Sequence, residues 1–95
     1  MKLSKICEEI EYTLLQGSIE TEVRDVIYDS RKIAPETMFV CMVGAVTDGH
    51  KYIPDAIDKG ASVIVLEREE EAAQIPENIT VLKVASARLA LALMS

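Results

Sequence analysis

The chain has 95 residues, of which 49% are hydrophobic, and its 16 acidic and 10 basic side chains give a formal net charge of −6. This length suits a modest core, so we expect one domain over residues 1–95. The acidic balance repels phosphate backbones and anionic lipid surfaces, which argues against nucleic acid and membrane as partners. Charged residues interrupt the first fifteen positions and every apolar run is short, so we expect a cytoplasmic protein without a signal peptide.

The first half of the chain predicts one helix followed by three strands. Apolar residues recur at helical spacing from Leu3 to Ile10, which predicts a short amphipathic helix. Apolar and β-branched runs then predict three strands, at 12–15, 23–28 and 38–43. The third run is apolar throughout, so we expect a central strand that is covered on both faces.

The second half of the chain predicts helices and strands in alternation. Pro54 suits a first helical turn and Gly60 suits a helix C terminus, which predicts a helix over 51–59. Two strands and an intervening short, charged helix are predicted next, at 61–66, 79–84 and 67–73. This order implies parallel crossovers, so the expected fold is a small α/β sandwich with a parallel or mixed sheet of four to five strands flanked by helices.

The last segment, Ser86–Ser95, predicts a nearly all-apolar helix that is capped by Ser86. It has neither a basic last turn nor a terminal glycine, so we interpret it as a helix that leads toward a further domain absent from this chain. Cys7 and Cys41 lie within apolar patterns, and we expect buried free thiols rather than a disulfide, a metal site or a nucleophile.

Two polar segments follow neighbouring predicted strands, Tyr28–Lys32 after the second and Gly44–His50 after the third. Ligands gather at the carboxyl ends of strands in α/β sheets, so both segments are expected at one binding edge. The second segment resembles a G-x-x-x-x-G-K-[ST] phosphate loop, but His50 displaces the lysine and Tyr52 replaces the magnesium-binding hydroxyl. The sequence therefore does not predict a nucleoside-triphosphate site here.

What remains for the second segment is one of two roles. Gly44 and Gly49 permit a loop that presents successive backbone N–H groups to an anion or a carbonyl. They are also compatible with a plain strand-to-helix turn that is capped by Thr47 or Asp48, which composition alone favours. His50 is the only histidine and has no nucleophile at a suitable spacing, so it suits a helix-end group better than an acid–base residue.

The first segment allows similar alternatives. The Ser30 hydroxyl can bind a ligand or the local backbone, and Asp29 is typical of a turn-former. Arg31 can hold a phosphate, or it can form an ion pair with the acidic surface. Asp29 and Asp48 are candidates for a pair of carboxylates, although the sequence does not set their separation. No catalytic constellation and no metal site is predicted.

These residues together resemble the N-terminal domain of the Mur ligases, over Leu3 to Leu93. The match rests on two spaced motifs in the right order. The first is Tyr28-Asp29-Ser30-Arg31-Lys32, and the second is Gly44 with Thr47-Asp48-Gly49-His50-Lys51-Tyr52-Ile53. Met38-Phe39-Val40-Cys41 between them, and Ala56-Ile57 with Gly60-Ala61 after them, fit the same family. Asp29-Ser30 and Asp48-Gly49-His50 favour the branch that adds the third residue of the peptidoglycan stem peptide over the branch that adds D-Ala-D-Ala.

The resemblance implies ATP-dependent ligation of meso-diaminopimelate or L-lysine to UDP-N-acetylmuramoyl-L-Ala-D-Glu, through an acyl phosphate on the D-glutamate carboxylate. ATP and Mg²⁺ would be bound outside this chain, which is expected to hold no cofactor of its own. The implied partners are this substrate and the protein's own central and C-terminal domains, in a monomer. A stand-alone scaffolding domain that docks a partner through its apolar last helix is the alternative from another class.

The resemblance also implies which residues bind the uridine-diphosphate moiety. They are Tyr28, Ser30, Ala45, Val46 and Thr47. Supporting roles would fall to Arg31, Gly44, Asp48, Gly49 and His50. Ala45 and Val46 depart from the polar residues of relatives, so their contacts would come through backbone amides.

Overall fold

A computed structural model describes residues 1–94 as a five-stranded sheet with helices on both faces. The strands are β1 (Thr13–Gln16), β2 (Asp25–Ile27), β3 (Thr37–Val40), β4 (Val63–Leu66) and β5 (Thr80–Lys83). The α-helices are α1 (Leu3–Ile6), α2 (Ile53–Asp58) and α3 (Ala87–Met94). Three 3₁₀ turns complete the structure, at Ser30–Lys32, Gly49–Tyr52 and Glu69–Gln74.

The strand order is β1-β5-β4-β3-β2, with β2 to β5 parallel and β1 antiparallel to β5. Each parallel pair is joined by a crossover segment, as the alternating pattern predicted. The expected mixed α/β sheet is therefore confirmed. The expectation that the strand at 38–43 is the central one was wrong, because β4 occupies the middle and β3 lies between β4 and the edge strand β2.

Both faces of the sheet are covered, which explains the unbroken apolar runs. Side chains alternate between the two faces of a strand. Met38 and Val40 therefore pack with α1 and α3, whereas Phe39 and Cys41 pack with α2 on the other face. Every residue of β3 and β4 is buried. Burial on both faces fixes the ends of these strands, and so fixes where the following loops begin.

Local signals set the ends of the helices. Pro54 lies in the first turn of α2, and Gly60 follows its C terminus with a φ of +89°, a conformation that suits glycine. The Ser86 hydroxyl accepts a hydrogen bond from the Leu89 N–H at 3.1 Å, which confirms the predicted cap of α3. The predicted end of this helix at Ser95 lies outside the described residues.

Several elements are shorter than predicted. The first helix ends at Ile6 rather than continuing to Ile10, and the segment predicted as a charged helix over 67–73 is the 3₁₀ turn Glu69–Gln74. Cys7 and Cys41 are buried free thiols, as expected. Among residues 1–94, no helix combines the length and apolar character that a bilayer crossing requires.

Candidate functional site

The carboxyl ends of the parallel strands place two loops at one edge of the sheet. Residues 28–32, here the first loop, follow β2, and residues 41–48, here the second loop, follow the neighbouring strand β3. The parallel pairing of these strands brings both loops to the same edge, as the sequence predicted. Residues 67 and 68, which follow β4, lie at this edge too.

The first loop is closed by its own aspartate. The Asp29 carboxylate accepts hydrogen bonds from the Arg31 N–H at 3.0 Å and from the Arg31 guanidinium at 2.9 Å. The hydrogen bonds from the Arg31 side chain and main chain lower the pKa of Asp29 to about 2. Asp29 is therefore a turn-former, and Arg31 is held in an ion pair within its own loop.

The same loop leaves two hydroxyl groups available. The side chain of Tyr28 is 62% exposed. Neither its hydroxyl nor that of Ser30 has a hydrogen-bond partner among residues 1–94. Lys59, from the end of α2, donates to the Ser30 carbonyl oxygen at 3.2 Å and adds a positive charge beside the loop. Nothing in the sequence pattern indicated this lysine, because it lies 29 positions away.

The second loop folds back on itself like a small hairpin. The Gly44 N–H donates to the Thr47 carbonyl oxygen at 2.7 Å, and the Gly49 N–H donates to the Met42 carbonyl oxygen at 2.7 Å. A Cβ at Gly49 would lie 2.7 Å from the Met42 nitrogen, so only glycine allows the two backbone segments to approach this closely. These two hydrogen bonds hold the base of the loop together, and its tip at residues 45–47 is exposed to solvent.

The tip carries three unpaired backbone donors. Within residues 1–94, no acceptor binds the N–H groups of Ala45, Val46 and Thr47, and the Thr47 hydroxyl has no partner either. Val46 is 96% exposed. Successive free N–H groups in a tight turn form a binding site for an anion or a carbonyl oxygen. The loop therefore offers main-chain donors at the positions where the apolar side chains offer none.

Asp48, His50 and Arg68 form a network at the base of the second loop, which we call the clamp. The Asp48 carboxylate caps the following turn by accepting a hydrogen bond from the His50 backbone N–H at 3.0 Å. It accepts a second hydrogen bond from the ring Nδ1 of His50 at 2.7 Å. Its other oxygen binds the Arg68 guanidinium. Of the two predicted caps, Asp48 is the one that the structure uses.

His50 connects the second loop to the end of β4. The residue is only 2% exposed, and its Nε2 accepts the N–H of Glu67 at 3.0 Å and that of Arg68 at 3.4 Å. Because Nε2 is an acceptor, the ring proton resides on Nδ1 and is donated to Asp48. Both ring nitrogens are engaged, so His50 is a buried structural residue. Sequence reasoning missed its partners, which are 17 and 18 positions away.

The clamp also determines the ionisation of Asp48. Burial alone would raise the pKa of this carboxyl group, but hydrogen bonds from the His50 side chain and main chain and from Arg68 outweigh burial. The pKa of Asp48 is therefore well below its ordinary range. Each of the two loop aspartates is bound in its own network, Asp29 with Arg31 and Asp48 with His50 and Arg68.

The second loop does not fit a magnesium-bound nucleoside triphosphate. A phosphate loop needs a free lysine after its glycine and then a hydroxyl for the metal. Buried His50 takes the lysine position, and the Lys51 ammonium group lies 5.2 Å from the centre of the Tyr52 ring. Among the described residues 1–94, no three acidic, histidine or cysteine side chains converge as metal ligands.

The fold and the loops define a small α/β domain with free main-chain donors at the carboxyl edge of its sheet. The family model described as "Mur ligase family, catalytic domain" matches residues 22–94. The chain belongs to the Mur ligase family. This finding confirms the resemblance that the two sequence motifs carried.

Named relatives are diaminopimelate-adding members of the family. The chain is 42% identical over 92 residues to the UDP-N-acetylmuramoyl-L-alanyl-D-glutamate--2,6-diaminopimelate ligase of Clostridium tetani, covering 97% of this chain and 19% of that protein. It is 39% identical over 85 residues to the ligase of the same name from Bacteroides fragilis, covering 90% of this chain and 17% of that protein. The chain thus spans about a fifth of the length of these relatives.

Solved structures with the same fold come from the same family. The chain is similar to MurF from Acinetobacter baumannii, with a TM-score of 0.71, 26% identity and coverage of 97% of this chain and 19% of that one. It is also similar to the MurF ligase of Thermotoga maritima in complex with ADP, with a TM-score of 0.60, 26% identity and coverage of 78% and 16%. These similarities support the α/β assignment.

Proposed function

We propose that this chain anchors the uridine-diphosphate moiety of UDP-N-acetylmuramoyl-L-Ala-D-Glu in an ATP-dependent ligase, UDP-N-acetylmuramoyl-tripeptide synthetase, which adds the third residue of the peptidoglycan stem peptide. The names of relatives at 42% and 39% identity support this branch of the family. Those names specify 2,6-diaminopimelate, so we propose it as the added amino acid in preference to L-lysine.

One observation carries the proposal: free donors from both loops lie at one edge of the sheet. The second loop offers the unpaired N–H groups of residues 45–47, and the first loop offers the hydroxyls of Tyr28 and Ser30. A diphosphate and a uracil ring present negative and carbonyl oxygens, which such donors bind well. Because the chain carries a net charge of −6, an anionic ligand needs local donors of this kind.

A domain without catalytic groups has a clear role in such an enzyme. Binding energy from a remote part of a substrate helps to position the reacting group, here the D-glutamate carboxylate. We propose that ATP and Mg²⁺ act in the remainder of the ligase, since the second loop does not fit them. In this proposal the protein is a cytoplasmic monomer whose other domains contact this one.

The alternatives have less support. A D-Ala-D-Ala-adding ligase is favoured only by the structural similarity to MurF, at 26% identity, against 42% for the diaminopimelate-adding relative. A scaffolding role draws on the exposure of two leucines on α3, Leu89 at 60% and Leu93 at 46%. It does not account for the free donors of the two loops.

Calorimetric titration of the chain tests the proposal. We expect heat of binding with UDP and with UDP-N-acetylmuramoyl-L-Ala-D-Glu, and none with ATP. Thr47→Val removes one hydroxyl donor and should weaken binding about tenfold, the effect of losing a hydrogen bond to a charged group. Thr13→Val is the matched control. Thr13 is an exposed residue of β1, which lies at the other side of the sheet from β2, so this variant should bind as the parent does. Absence of binding to both uridine ligands, or equal binding of ATP, would overturn the proposal.

A further inference from the structure

We propose that the clamp formed by Asp48, His50 and Arg68 is a positioning device, which holds the N–H groups of residues 45–47 in their binding geometry without touching the ligand. This inference rests on the proposed function of the second loop. It adds roles for three side chains, of which Arg68 lies outside both sequence motifs.

The tip of the second loop lacks support of its own. Residues 43–47 are all exposed, and the hydrogen bonds of Gly44 and Gly49 are the only backbone bonds within the loop among residues 1–94. A loop with few buried contacts and exposed hydrogen bonds opens readily. Something other than packing must therefore fix the direction of its free N–H groups.

The clamp supplies that support by joining the loop to the sheet. Asp48 follows the tip directly, and its carboxylate is held on one oxygen by His50 and on the other by Arg68. His50 is itself fixed through Nε2 to the backbone of Glu67, at the end of β4. The second loop, which follows β3, is thereby bound to the end of the neighbouring strand. Glu67 extends the chain of contacts, since its carboxylate accepts the Ala87 N–H at 2.7 Å at the start of α3.

Arg68 is the member that separates positioning from stability. His50 is buried, so replacing it would leave unpaired polar groups in the interior. The Arg68 side chain is 39% exposed, and its other contact is a 3.8 Å ion pair with Glu71. Removing its charge therefore releases one oxygen of Asp48 without opening a cavity in the core.

The test measures loop order and affinity separately. Backbone ¹⁵N relaxation of the ligand-free chain reports the mobility of the amides at 45–47, and calorimetry with UDP reports the dissociation constant. Arg68→Met should lower the heteronuclear NOE at these amides and raise the dissociation constant about tenfold, because an ordering cost is transferred to binding. Arg68→Lys should rescue part of both effects, and Asp48→Asn should reproduce the loss.

The matched control is Arg24→Met. Arg24 is an exposed arginine that precedes β2, at the opposite end of the parallel strands, so it should leave both measurements unchanged. Unchanged order at 45–47 in Arg68→Met would overturn the inference, whatever happens to affinity or melting temperature. A second outcome would separate the two proposals. If Arg68→Met loosens the loop but the unaltered chain does not bind UDP, the result would support the clamp and overturn the proposed function.

Discussion

Replacing Gly49 with alanine should destabilise the chain through a steric conflict at the base of the second loop. The new Cβ would lie 2.7 Å from the Met42 nitrogen and 3.0 Å from the carbonyl carbon and Cα of Cys41. All three are backbone atoms, and the Gly49 N–H also donates to the Met42 carbonyl oxygen at 2.7 Å. The segments cannot separate without losing this bond. We expect a loss of about 1–3 kcal/mol in the free energy of unfolding, typical of overpacking.

Gly44→Ala is the matched control, because Gly44 lies in the same loop. Its Cβ would meet only the Thr47 carbonyl oxygen, at 3.6 Å, an ordinary van der Waals distance. Gly44 does not have the positive φ that favours glycine, so alanine can adopt its backbone conformation. We expect no loss, and a gain of about 0.4–1 kcal/mol from the stiffer unfolded chain.

Urea denaturation of the three proteins measures the difference. The midpoint should fall for Gly49→Ala with an unchanged m-value, and it should stay level or rise for Gly44→Ala. By thermal melting, each kcal/mol corresponds to about 4–8 °C in a domain of this size. Equal midpoints for the two variants would refute the close approach of residues 41–42 to residue 49.

Three further predictions follow from burial and charge. Arg31 holds the pKa of Asp29 at about 2, against an ordinary value of 3.8, so the stability that this pair contributes is present above pH 4 and is lost as the pH falls toward 2. Carboxyl ¹³C titration of Arg31→Met should show a higher pKa for Asp29. An unchanged pKa would contradict the ion pair. Burial raises the pKa of Cys7 to about 11 and that of Cys41 to about 12, so a thiol reagent at pH 8 should modify neither in the folded chain and both in urea, whereas rapid native labelling would refute their burial. Phe39→Ala should cost about 3–5 kcal/mol in urea denaturation, since the ring is fully buried, and a loss below 1 kcal/mol would show a looser core.

Local signals allowed much of the fold to be predicted. The apolar runs at 38–43 and 61–66 indicated strands covered on both faces, and every residue of β3 and β4 is buried. The first run overstated the strand, since β3 ends at Val40 and Val43 is 37% exposed. Pro54 and Gly60 mark the two ends of α2 because their backbone preferences act within one residue. The edge that carries both loops followed from strand direction alone.

Nonlocal contacts were out of reach of the same reasoning. The order of strands depends on packing between distant segments, so the sequence pattern could not tell that β4 rather than β3 is central. The bonds from His50 to Glu67 and from Lys59 to Ser30 join residues 17 and 29 positions apart, and no periodicity records them. The acidic run at 67–71 suggested only a solvated face, whereas the Glu67 carboxylate caps α3.

An amide NMR titration of the ¹⁵N-labelled chain with UDP-N-acetylmuramoyl-L-Ala-D-Glu tests the central claim most directly, with ATP as the control ligand. The account predicts shifts confined to residues 28–32 and 44–50, including the amides of Ala45, Val46 and Thr47, and no response to ATP. Shifts centred elsewhere, such as around Leu89 and Leu93 on α3, or no shifts at millimolar ligand, would contradict it.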